Sequence, residues 1–385
     1  VRNGGDRHLD VVADGNEQVI LARFDDAMFF VKKDLRQPLE NFVDDLKTLT
    51  FQVKLGSFLD KTHRIHQLAD PLGARLGLSE KELATTRRGA ELCKADLATN
   101  MVVEMTSLQG IMGRYYALKS GESQAVADAI FEHYLPRSAS DRLPESKPGL
   151  VIGLADRLDS LIGLFAAGLA PTGTKDPFAQ RRAALGICQN LIEWQVNFDL
   201  RWALAEAGRK YDFEVPQDVI ESCLEFILGR LRGMLLDMGF NYDVVEAVLA
   251  EKGNDPYGAT IDVQALSSWV EREDWDQILQ SFSRCVRITR DKEEQFIVDA
   301  DLFEAESEQL LYEAVTQAEA EITGTDTVDA LLNAFMPMVP VINRFFDEVL
   351  VMAEDDAVRE NRLALLQRVS GLAAGIVDLS QLEGF

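Results

Sequence analysis

The fold is decided by residues 39–77, LENFVDDLKTLTFQVKLGSFLDKTHRIHQLADPLGARLG. Apolar side chains recur there near every third or fourth position, which is the spacing of one helix face. The positions are Leu39, Phe42, Val43, Leu46, Leu49, Val53, Leu55 and Phe58. We expect helix over this stretch, with an interruption at residues 71–73 because proline lacks a backbone donor. The same periodicity continues towards the C-terminus, so the sequence predicts a mainly α-helical, multi-domain protein built of helical bundles.

The residues before this stretch favour β-structure. Residues 1–36 contain the runs LDVVADG and QVILARF, which are rich in β-branched side chains and are separated by the turn-forming DGNE. We therefore expect a short β-containing N-terminal piece. On the other side, Ser79 followed by Glu82 has the spacing of a capping box and predicts the start of the next helix.

The length of 385 residues exceeds one ordinary domain, and a hydrophobic content of 47% is enough for several cores. We predict four segments: 1–36, the remnant of a preceding domain; 37–175, a helical domain; 176–265, a helical linker or body; and 266–385, a C-terminal helical domain. The sequence begins at Val1 within ordinary globular sequence, so we expect a fragment of a longer protein.

Composition excludes several classes of protein. The four cysteines are far apart and form no CxxC pair, which favours a reduced interior over disulfides or zinc. Residues 150–169, LVIGLADRLDSLIGLFAAGL, are apolar but carry Asp156, Arg157 and Asp159 at their centre, so we expect a core helix and no membrane span. No signal peptide is visible. A formal charge of −25 opposes simple attraction to nucleic acid and confines any RNA contact to a local basic face.

The densest run of polar signals is residues 171–185, PTGTKDPFAQRRAAL. Asp176 is a good helix cap and Pro177 suits the first helical position, where a missing N–H costs nothing. A helix start beside Lys175 could also hold a phosphate, although the spacing of a Walker loop is absent. The cap is the favoured interpretation, and Arg181 with Arg182 are kept as RNA or interface contacts.

Two aspartates on predicted helices are candidate metal ligands. Asp96 in CKADL and Asp156 in LADRLDSL could meet in a bundle, where they would either bind a metal or serve as buried hydrogen-bonding partners. His63 and His66 share one side of a helix but have no acidic cluster beside them. His8 and His133 have no motif around them and are expected at the surface.

The C-terminal region offers basic residues but no catalytic constellation. Arg359 and Arg362 lie about one turn apart and could straddle a nucleic-acid backbone, or they could pair with Asp356 and Glu360. No nucleophile with a base, and no known catalytic motif, stands out in the chain. A self-contained active site is therefore not expected.

Six runs, in the same order and over nearly the whole chain, resemble the beta subunit of bacterial glycyl-tRNA synthetase. They are DKTHRI, CKADLATNMVVEMTSLQGIMGRYYA, EHYLPRSASDRLP, LADRLDSLIGLF, PTGTKDPFAQRRAALG and FFDEVLVMAEDDAVRENRLALL. The runs TSLQGIMGRYYA and PTGTKDPFAQRRAALG are the most specific. Because that subunit is much longer than 385 residues, the resemblance implies its C-terminal part.

The resemblance implies a division of labour. Members of the family make glycyl-tRNA from ATP, glycine and tRNA at a site in the alpha subunit or alpha part, and the beta subunit supplies tRNA binding. Residues 37–175 resemble an HD-type domain, with Ala95–Asp96 where HD phosphohydrolases have His-Asp and Asp156 at their last aspartate. The missing histidine implies a non-catalytic domain. Residues 266–385 resemble the anticodon-binding domain shared with arginyl-tRNA synthetase.

We therefore expect a cytoplasmic, tRNA-binding part of glycine–tRNA ligase without its own catalytic site. Its partners would be tRNA(Gly) and the alpha subunit or alpha part, with no membrane and no DNA. No cofactor or metal is expected on this fragment, whereas the holoenzyme would use ATP and Mg²⁺. The alternatives are an active HD-type metal-dependent phosphohydrolase and a scaffold that binds no RNA. The candidate RNA contacts are Arg87, Arg88, Lys175, Arg181, Arg182, Arg359 and Arg362.

Overall fold

Helices dominate the architecture, as the sequence predicts. The computed structural model describes residues 8–292, 294–324 and 326–385, and within these ranges it contains seventeen α-helices and one two-stranded sheet. The chain divides into two compact units. Unit 1 comprises the residues up to Glu193 together with Arg201–Leu224, and unit 2 comprises Trp194–Leu200 together with Glu225–Phe385. The predicted segment boundaries at residues 36, 175 and 265 stay predictions.

The described N-terminal part of the chain forms ten α-helices of 5 to 26 residues and one small hairpin. In order, its elements are α1 (Leu9–Asp34), 3-10 helices at Leu39–Phe42 and Asp44–Thr48, β1 (Thr50–Gln52), β2 (Gly56–Ser57), α2 (Phe58–Arg75), α3 (Glu80–Leu92), a 3-10 helix at Ala95–Ala98, α4 (Asn100–Glu104), a 3-10 helix at Thr106–Leu108, α5 (Ile111–Lys119), α6 (Gln124–Glu132), α7 (Lys147–Ala166), α8 (Gln180–Glu193), α9 (Leu200–Gly208) and α10 (Gln217–Asp237). Strands β1 and β2 pair antiparallel, with Thr50 opposite Ser57.

Helix α7 is the centre of unit 1. It packs against α2, α3, α6 and α8, and 15 of its 20 residues are buried. Leu154, Leu158 and Leu161 are completely inaccessible to solvent. The expectation of a core helix at residues 150–169 is confirmed by this burial. Because the helix is buried on almost every side, its polar residues must also find partners inside the unit.

The expectation of β-structure in residues 1–36 is wrong for the described residues, which form the 26-residue helix α1. The last turns of the helix decide the outcome. Phe30 and Val31 pack against the core, and the buried carboxylate of Asp34 accepts hydrogen bonds from the backbone of Asn100 and Met101. These tertiary contacts outweigh the local β-propensity of the valine-rich runs.

The expectation of continuous helix from residue 39 is only partly correct. Residues 39–48 form 3-10 turns and a short hairpin follows, in which Gly56, the first residue of β2, adopts a positive φ of 88°. Ser57 then begins α2 through a capping box with Asp60. The predicted apolar positions are only partly buried: Leu39 and Leu46 are at most 1% exposed, whereas Val53, in the hairpin, is 89% exposed.

The predicted interruption at residues 71–73 is also wrong. Helix α2 continues through Pro71 to Arg75, because the proline lies near its end and the flanking Leu68 and Leu72 are fully buried. The predicted capping box at Ser79 and Glu82 is confirmed. The hydroxyl of Ser79 accepts from the backbone of Glu82, and the Glu82 carboxylate accepts from the backbone of Ser79.

Unit 2 is a second helical bundle. After α10 its helices are α11 (Tyr242–Lys252), α12 (Pro256–Val270), α13 (Trp275–Thr289), α14 (Glu306–Ile322), α15 (Val328–Phe335), α16 (Val339–Glu348) and α17 (Asp356–Gly371), with 3-10 turns at Ala300–Leu302, Met336–Met338 and Leu379–Gln381. Helix α13 packs on α17, and α14 packs on α15, α16 and α17. Phe282 and Phe335 stack edge to face in this core.

Two further properties follow from burial and length. All four cysteines are buried as free thiols, and burial raises the pKa of Cys93 to about 12, so this thiol is unreactive at neutral pH. In the part of the chain that the structure describes, every helix falls short of the length and apolarity needed to cross a membrane.

Candidate nucleic-acid interface

Arg87 and Arg88 lie on α3, and both are held by carboxylates. Arg87 is exposed and pairs with Asp70 at 2.6 Å. The Arg88 guanidinium contacts Glu40, Glu91 and Glu122 at 2.6 to 3.1 Å. A phosphate would have to compete with these carboxylates, so the geometry does not favour RNA contact at either arginine.

In the stretch 171–185, the predicted capping residue is correct but the predicted first residue of the helix is wrong. Asp176 does cap a helix, since its two carboxylate oxygens accept from the backbone N–H groups of Gln180 and Arg181 at 2.8 and 2.9 Å. However, α8 begins at Gln180, so Pro177 is not in its first turn as predicted. The cause is Ala179, whose φ of 54° breaks the helical path. The capping carboxylate occupies the helix N-terminus, which leaves no site for a phosphate there.

Three predicted cations surround this helix start. Arg181 donates to the carbonyl of Gly173 at 2.5 Å and has Asp176 at 3.9 Å. Lys175 is exposed on the loop, and Arg182 is exposed on α8, where it donates to the carbonyl of Arg137 at 3.3 Å. Within the described ranges, Lys175 and Arg182 alone among the seven predicted RNA contacts have no carboxylate within ion-pair distance.

The two predicted C-terminal arginines differ in their ion-pair partners and in their burial. Arg359 pairs with Asp356 in the first turn of α17, which is one of the two alternatives that the sequence left open. Arg362 is only 7% exposed, and its guanidinium binds Glu308 at 2.9 Å and Glu304 at 2.8 Å. Arg362 therefore holds unit 2 together. RNA contact at Arg362 stays a prediction, and this geometry does not support it.

Asp96 is a buried hydrogen-bonding partner, which is one of the two alternatives that the sequence left open. One carboxylate oxygen accepts from the backbone N–H groups of Gly110 and Gly113 at 2.6 and 3.0 Å, and the other has no partner among the described residues. Burial raises the pKa of this carboxyl to about 6. Both glycines belong to the TSLQGIMGRYYA run, which explains part of its specific sequence.

Asp156 lies between two buried ammonium groups. Lys61 and Lys94 approach its carboxylate oxygens at 2.9 and 2.8 Å, and Lys61 also binds Asp159 at 2.8 Å. Burial alone would raise the pKa of Asp156, but the two lysines hold it well below its ordinary value. A divalent cation does not fit beside two ammonium groups, so these residues are unsuited to the metal centre of an HD phosphohydrolase.

The histidines also differ from a metal-ligand pattern. His133 is fully buried, so its expected surface position is wrong. Its Nδ1 lies 2.6 Å from the carbonyl of Ile130 and its Nε2 lies 3.0 Å from Nζ of Lys94, which suits the neutral imidazole. Burial lowers the pKa of His133, and Lys94 lowers it further. His66 lies 3.4 Å from Glu91, and in the described part of the chain no group of three metal-ligating side chains forms.

Four of the six runs meet at one cleft in unit 1, to which the run containing TSLQGIMGRYYA contributes Ser107 and Gln109. The cleft has a volume of about 490 Å³ and lies between the segment 133–137, helix α7 and the start of α8. Its lining includes Arg137, Arg157, Phe178, Gln180 and Arg182. These residues come from EHYLPRSASDRLP, LADRLDSLIGLF and PTGTKDPFAQRRAALG, which are separate in sequence.

Arg157 shapes the wall of this cleft. Its guanidinium is 7% exposed and donates to backbone carbonyls, including those of His133 at 3.0 Å and Leu135 at 2.6 Å. A Cβ at Gly153 or Gly186 would lie 2.9 Å from an Arg157 nitrogen, so a side chain at either position would displace the guanidinium. Burial lowers the pKa of Arg157 to about 10, and the residue still carries its charge at neutral pH.

A basic stripe that the sequence analysis missed runs along α13. Arg284, Arg287 and Arg290 are exposed and follow one another at intervals of three residues, so they lie along one side of the helix. Among the described residues, no carboxylate lies within ion-pair distance of these three guanidiniums. Arg284 lies 4.1 Å from the ring centre of Phe346, and Arg287 lies 5.8 Å from that of Phe385. We call these three arginines the α13 stripe.

Comparisons with known proteins agree over almost the whole sequence. The model of the family described as glycyl-tRNA synthetase beta subunit matches residues 1–250, and that of the DALR anticodon binding domain matches residues 278–379. The glycine–tRNA ligase beta subunit of Desulforamulus reducens is 41% identical over 390 residues, which cover 99% of this chain and 56% of that protein. For the beta subunit of Clostridioides difficile the identity is 40% over 388 residues, with the same two coverages.

A plant protein is similar as well. The glycine–tRNA ligase, chloroplastic/mitochondrial 2, of Arabidopsis thaliana is 38% identical over 378 residues, which cover 98% of this chain and 35% of that protein.

The chain belongs to the glycyl-tRNA synthetase beta subunit family.

It spans about half the length of the bacterial relatives that it matches. Within the family framework, the cleft falls in the part matched by the beta-subunit model and the α13 stripe falls in the DALR domain. The DALR match lies inside the segment 266–385 that the sequence analysis likened to an anticodon-binding domain. The likeness of residues 37–175 to an HD-type domain stays a prediction.

The sequence contained a usable signal for the missed stripe. The run SRCVRITR places arginines at every third position on a predicted helix, a spacing that puts them on one side. The overall charge of −25 does not reveal such a local cluster, because it is a sum over the whole chain. By contrast, the cleft is formed by segments about 20 residues apart or more in the sequence. No local sequence pattern predicts that these segments lie together.

Proposed function

We propose that this chain is the tRNA-binding portion of a glycine–tRNA ligase, the enzyme that joins glycine to tRNA(Gly) with ATP. The alpha subunit, or an alpha part of the same protein, would perform the chemistry with ATP and Mg²⁺, and the assembly would work in the cytoplasm. Membership of the beta subunit family and the DALR match support this proposal. The observation that carries it is the α13 stripe within the DALR region.

The stripe has the properties that RNA contact requires. Phosphate oxygens are bound in proteins chiefly by arginine and lysine, and guanidiniums without a carboxylate partner are free to bind them. Most other arginines of unit 2 are already neutralised, for example Arg272 by Asp274 and Arg368 by Glu319. Among the described residues of unit 2, the arginines without a carboxylate partner are therefore concentrated on α13.

The acidic remainder of the chain suits such an arrangement. With a net charge of −25, most of the surface repels a polyanion, and RNA can approach only where positive charge is locally exposed. Repulsion elsewhere would lower non-specific RNA binding and so increase selectivity. This is a physical reason for an acidic tRNA-binding protein.

The alternative of an active HD-type phosphohydrolase has less support. Its metal would have to lie at Asp156, where Lys61 and Lys94 already supply two positive charges within 2.9 Å. The scaffold alternative predicts that the α13 stripe has no effect on RNA binding. One experiment separates this alternative from the proposal.

The experiment compares two triple variants of the full chain. The test variant changes Arg284, Arg287 and Arg290 to Gln, and the control changes Arg272, Arg344 and Arg368, which are paired with carboxylates in the same unit, to Gln. Both variants lose the same net charge. We expect the test variant to bind tRNA(Gly) at least about tenfold more weakly than the control at moderate salt. Equal affinities would contradict the proposal and favour the scaffold.

A further inference from the structure

We propose that the cleft of unit 1 is a nucleotide-binding site, in which Arg137 and Arg182 hold the phosphate and Phe178 stacks on the base. The nucleotide is either free or part of an RNA strand, since both present the same phosphate, ribose and base. The inference stands apart from the proposed function, because the cleft and the α13 stripe lie in different units.

The first argument is charge. Three arginines line the cleft, namely Arg137, Arg157 and Arg182, against the single carboxylate of Asp156. That carboxylate is already neutralised by Lys61 and Lys94. Within the described ranges, none of the three guanidiniums has a carboxylate at ion-pair distance. In a chain with 64 acidic and 39 basic side chains, such a concentration of unpaired arginines favours an anionic ligand.

The second argument is the set of buried polar atoms without a partner. Gln180 is 1% exposed, and its amide N–H donates to the carbonyl of Leu169, while its Oε1 has no partner among the described residues. The hydroxyl of Tyr134 and Nε of Arg137 are likewise buried and unpartnered in that part of the chain. All three side chains line the cleft. Buried polar atoms normally have partners, so a ligand that supplies both donors and acceptors is indicated.

The third argument is shape. Phe178 is 38% exposed on the cleft wall, although a large aromatic side chain is ordinarily covered. The next residue, Ala179, adopts a left-handed backbone with φ of 54°, a conformation that non-glycine residues retain mainly where the surrounding structure requires it. A volume of about 490 Å³ lies within the range of small-molecule sites and would accept a nucleotide.

A nucleotide satisfies these groups together. Its phosphate accepts hydrogen bonds from Arg182 and from Nε of Arg137, and a ribose hydroxyl or base amino group donates to Oε1 of Gln180. The base stacks on Phe178, as bases do on exposed aromatic side chains. Inorganic phosphate would use only the arginines and would leave Gln180 and Phe178 without a role.

The test uses Arg182→Gln, with Arg181→Gln as the matched control. The two residues are neighbours on α8 and undergo the same change, but Arg181 does not line the cleft. Phe178→Leu is a second test variant that keeps an apolar side chain. Thermal unfolding of each variant establishes that it folds. Binding to the chain of 385 residues is measured by calorimetry with the four nucleoside 5′-monophosphates and with inorganic phosphate, and by filter binding with a single-stranded RNA and tRNA(Gly).

We expect saturable binding of at least one nucleotide or RNA probe. Arg182→Gln should weaken it at least tenfold and Phe178→Leu several-fold, while Arg181→Gln stays within twofold of wild type. Loss confined to the monophosphates identifies a free nucleotide, and loss confined to the RNA probes identifies an RNA strand. The inference is overturned if wild type binds no probe better than inorganic phosphate, or if the two arginine variants behave alike. The α13 variants decide the proposed function independently.

Discussion

Arg359 and Arg362 show that the surroundings of an arginine determine whether it forms a surface ion pair or a buried one. Both lie on α17, and the sequence alone gives the same two alternatives for each, RNA contact or an ion pair. Arg359 forms an exposed pair with Asp356, whereas Arg362 is buried against Glu308, which is fully inaccessible to solvent. The sequence could predict that Arg359 would find a partner within its own helix. It could not predict the buried ion pair of Arg362, because its partner Glu308 is 54 residues away in the sequence.

The first prediction concerns these two arginines. Arg362→Met should destabilise the chain by about 3–5 kcal/mol, because it leaves the buried Glu308 carboxylate without its partner. Arg359→Met should cost no more than about 1 kcal/mol, as expected for an exposed ion pair. Urea unfolding of both variants measures the difference. Equal losses would show that the buried pair contributes no more than the surface pair.

A second prediction follows from the raised pKa of Asp96. The pKa of this carboxyl has its ordinary value of 3.8 in the unfolded chain and is raised by burial to about 6 in the folded chain, so the native state retains the proton between these values. The stability that this proton contributes is present near pH 4 and is lost as the pH rises through 6. Asp96→Asn has no proton to lose. Its stability relative to wild type should therefore increase from pH 4 to pH 7, by an amount on the order of 3 kcal/mol.

The measurement is urea unfolding of wild type and Asp96→Asn at several pH values, with the exposed Asp212→Asn as control. The control should differ from wild type by a constant amount. A difference for Asp96→Asn that stays constant or decreases over this range would mean that the folded carboxyl is ionised throughout.

At the scale of elements, local signals were predictable and tertiary ones were not. The capping box at Ser79 and Glu82 and the buried helix α7 follow from short-range pattern, and both are confirmed. Helix α1 is different. Its valine-rich sequence favours a strand, and what fixes it as a helix is the attachment of its end to α4 and α5 through Asp34. That contact spans more than 60 residues of sequence.

A third prediction tests this attachment. Asp34→Ala removes the acceptor for the backbone N–H groups of Asn100 and Met101 and for the hydroxyl of Tyr116. Leaving these buried donors unpaired should cost about 2–4 kcal/mol locally. Hydrogen exchange in the last turns of α1 and in α4 should accelerate at least about tenfold, while Asp25→Ala, on an exposed face of the same helix, should leave exchange in α4 unchanged. Unchanged exchange in Asp34→Ala would show that other contacts hold α1.

The site shows the same limit of sequence reasoning. The sequence placed Arg182 among the candidates, and the structure adds Arg137, Tyr134 and Gln180 around it. The sequence did not indicate that these residues lie together, because their proximity depends on how α7 and α8 pack. Conversely, no local pattern indicated the partners of Arg87 and Arg88 that come from other elements, namely Asp70, Glu40 and Glu122.

At the scale of the whole molecule, net charge and local charge point in opposite directions. The total of −25 argues against RNA binding, yet six arginines with no carboxylate at ion-pair distance among the described residues lie on the α13 stripe and in the cleft. Family membership supports the proposed function, and the structure shows which basic residues are available for it. Each was needed, because a charge total contains no information about where the charges lie.

The most direct test of the central claim is the salt dependence of tRNA(Gly) binding. Each phosphate contact contributes ~0.7–0.9 to the slope of log affinity against log salt concentration. If the α13 stripe contacts RNA phosphates, the Arg284, Arg287 and Arg290 triple Gln variant should show a slope shallower than wild type by about 2–3. An identical slope in the two proteins, measured from low to moderate salt, would contradict the account.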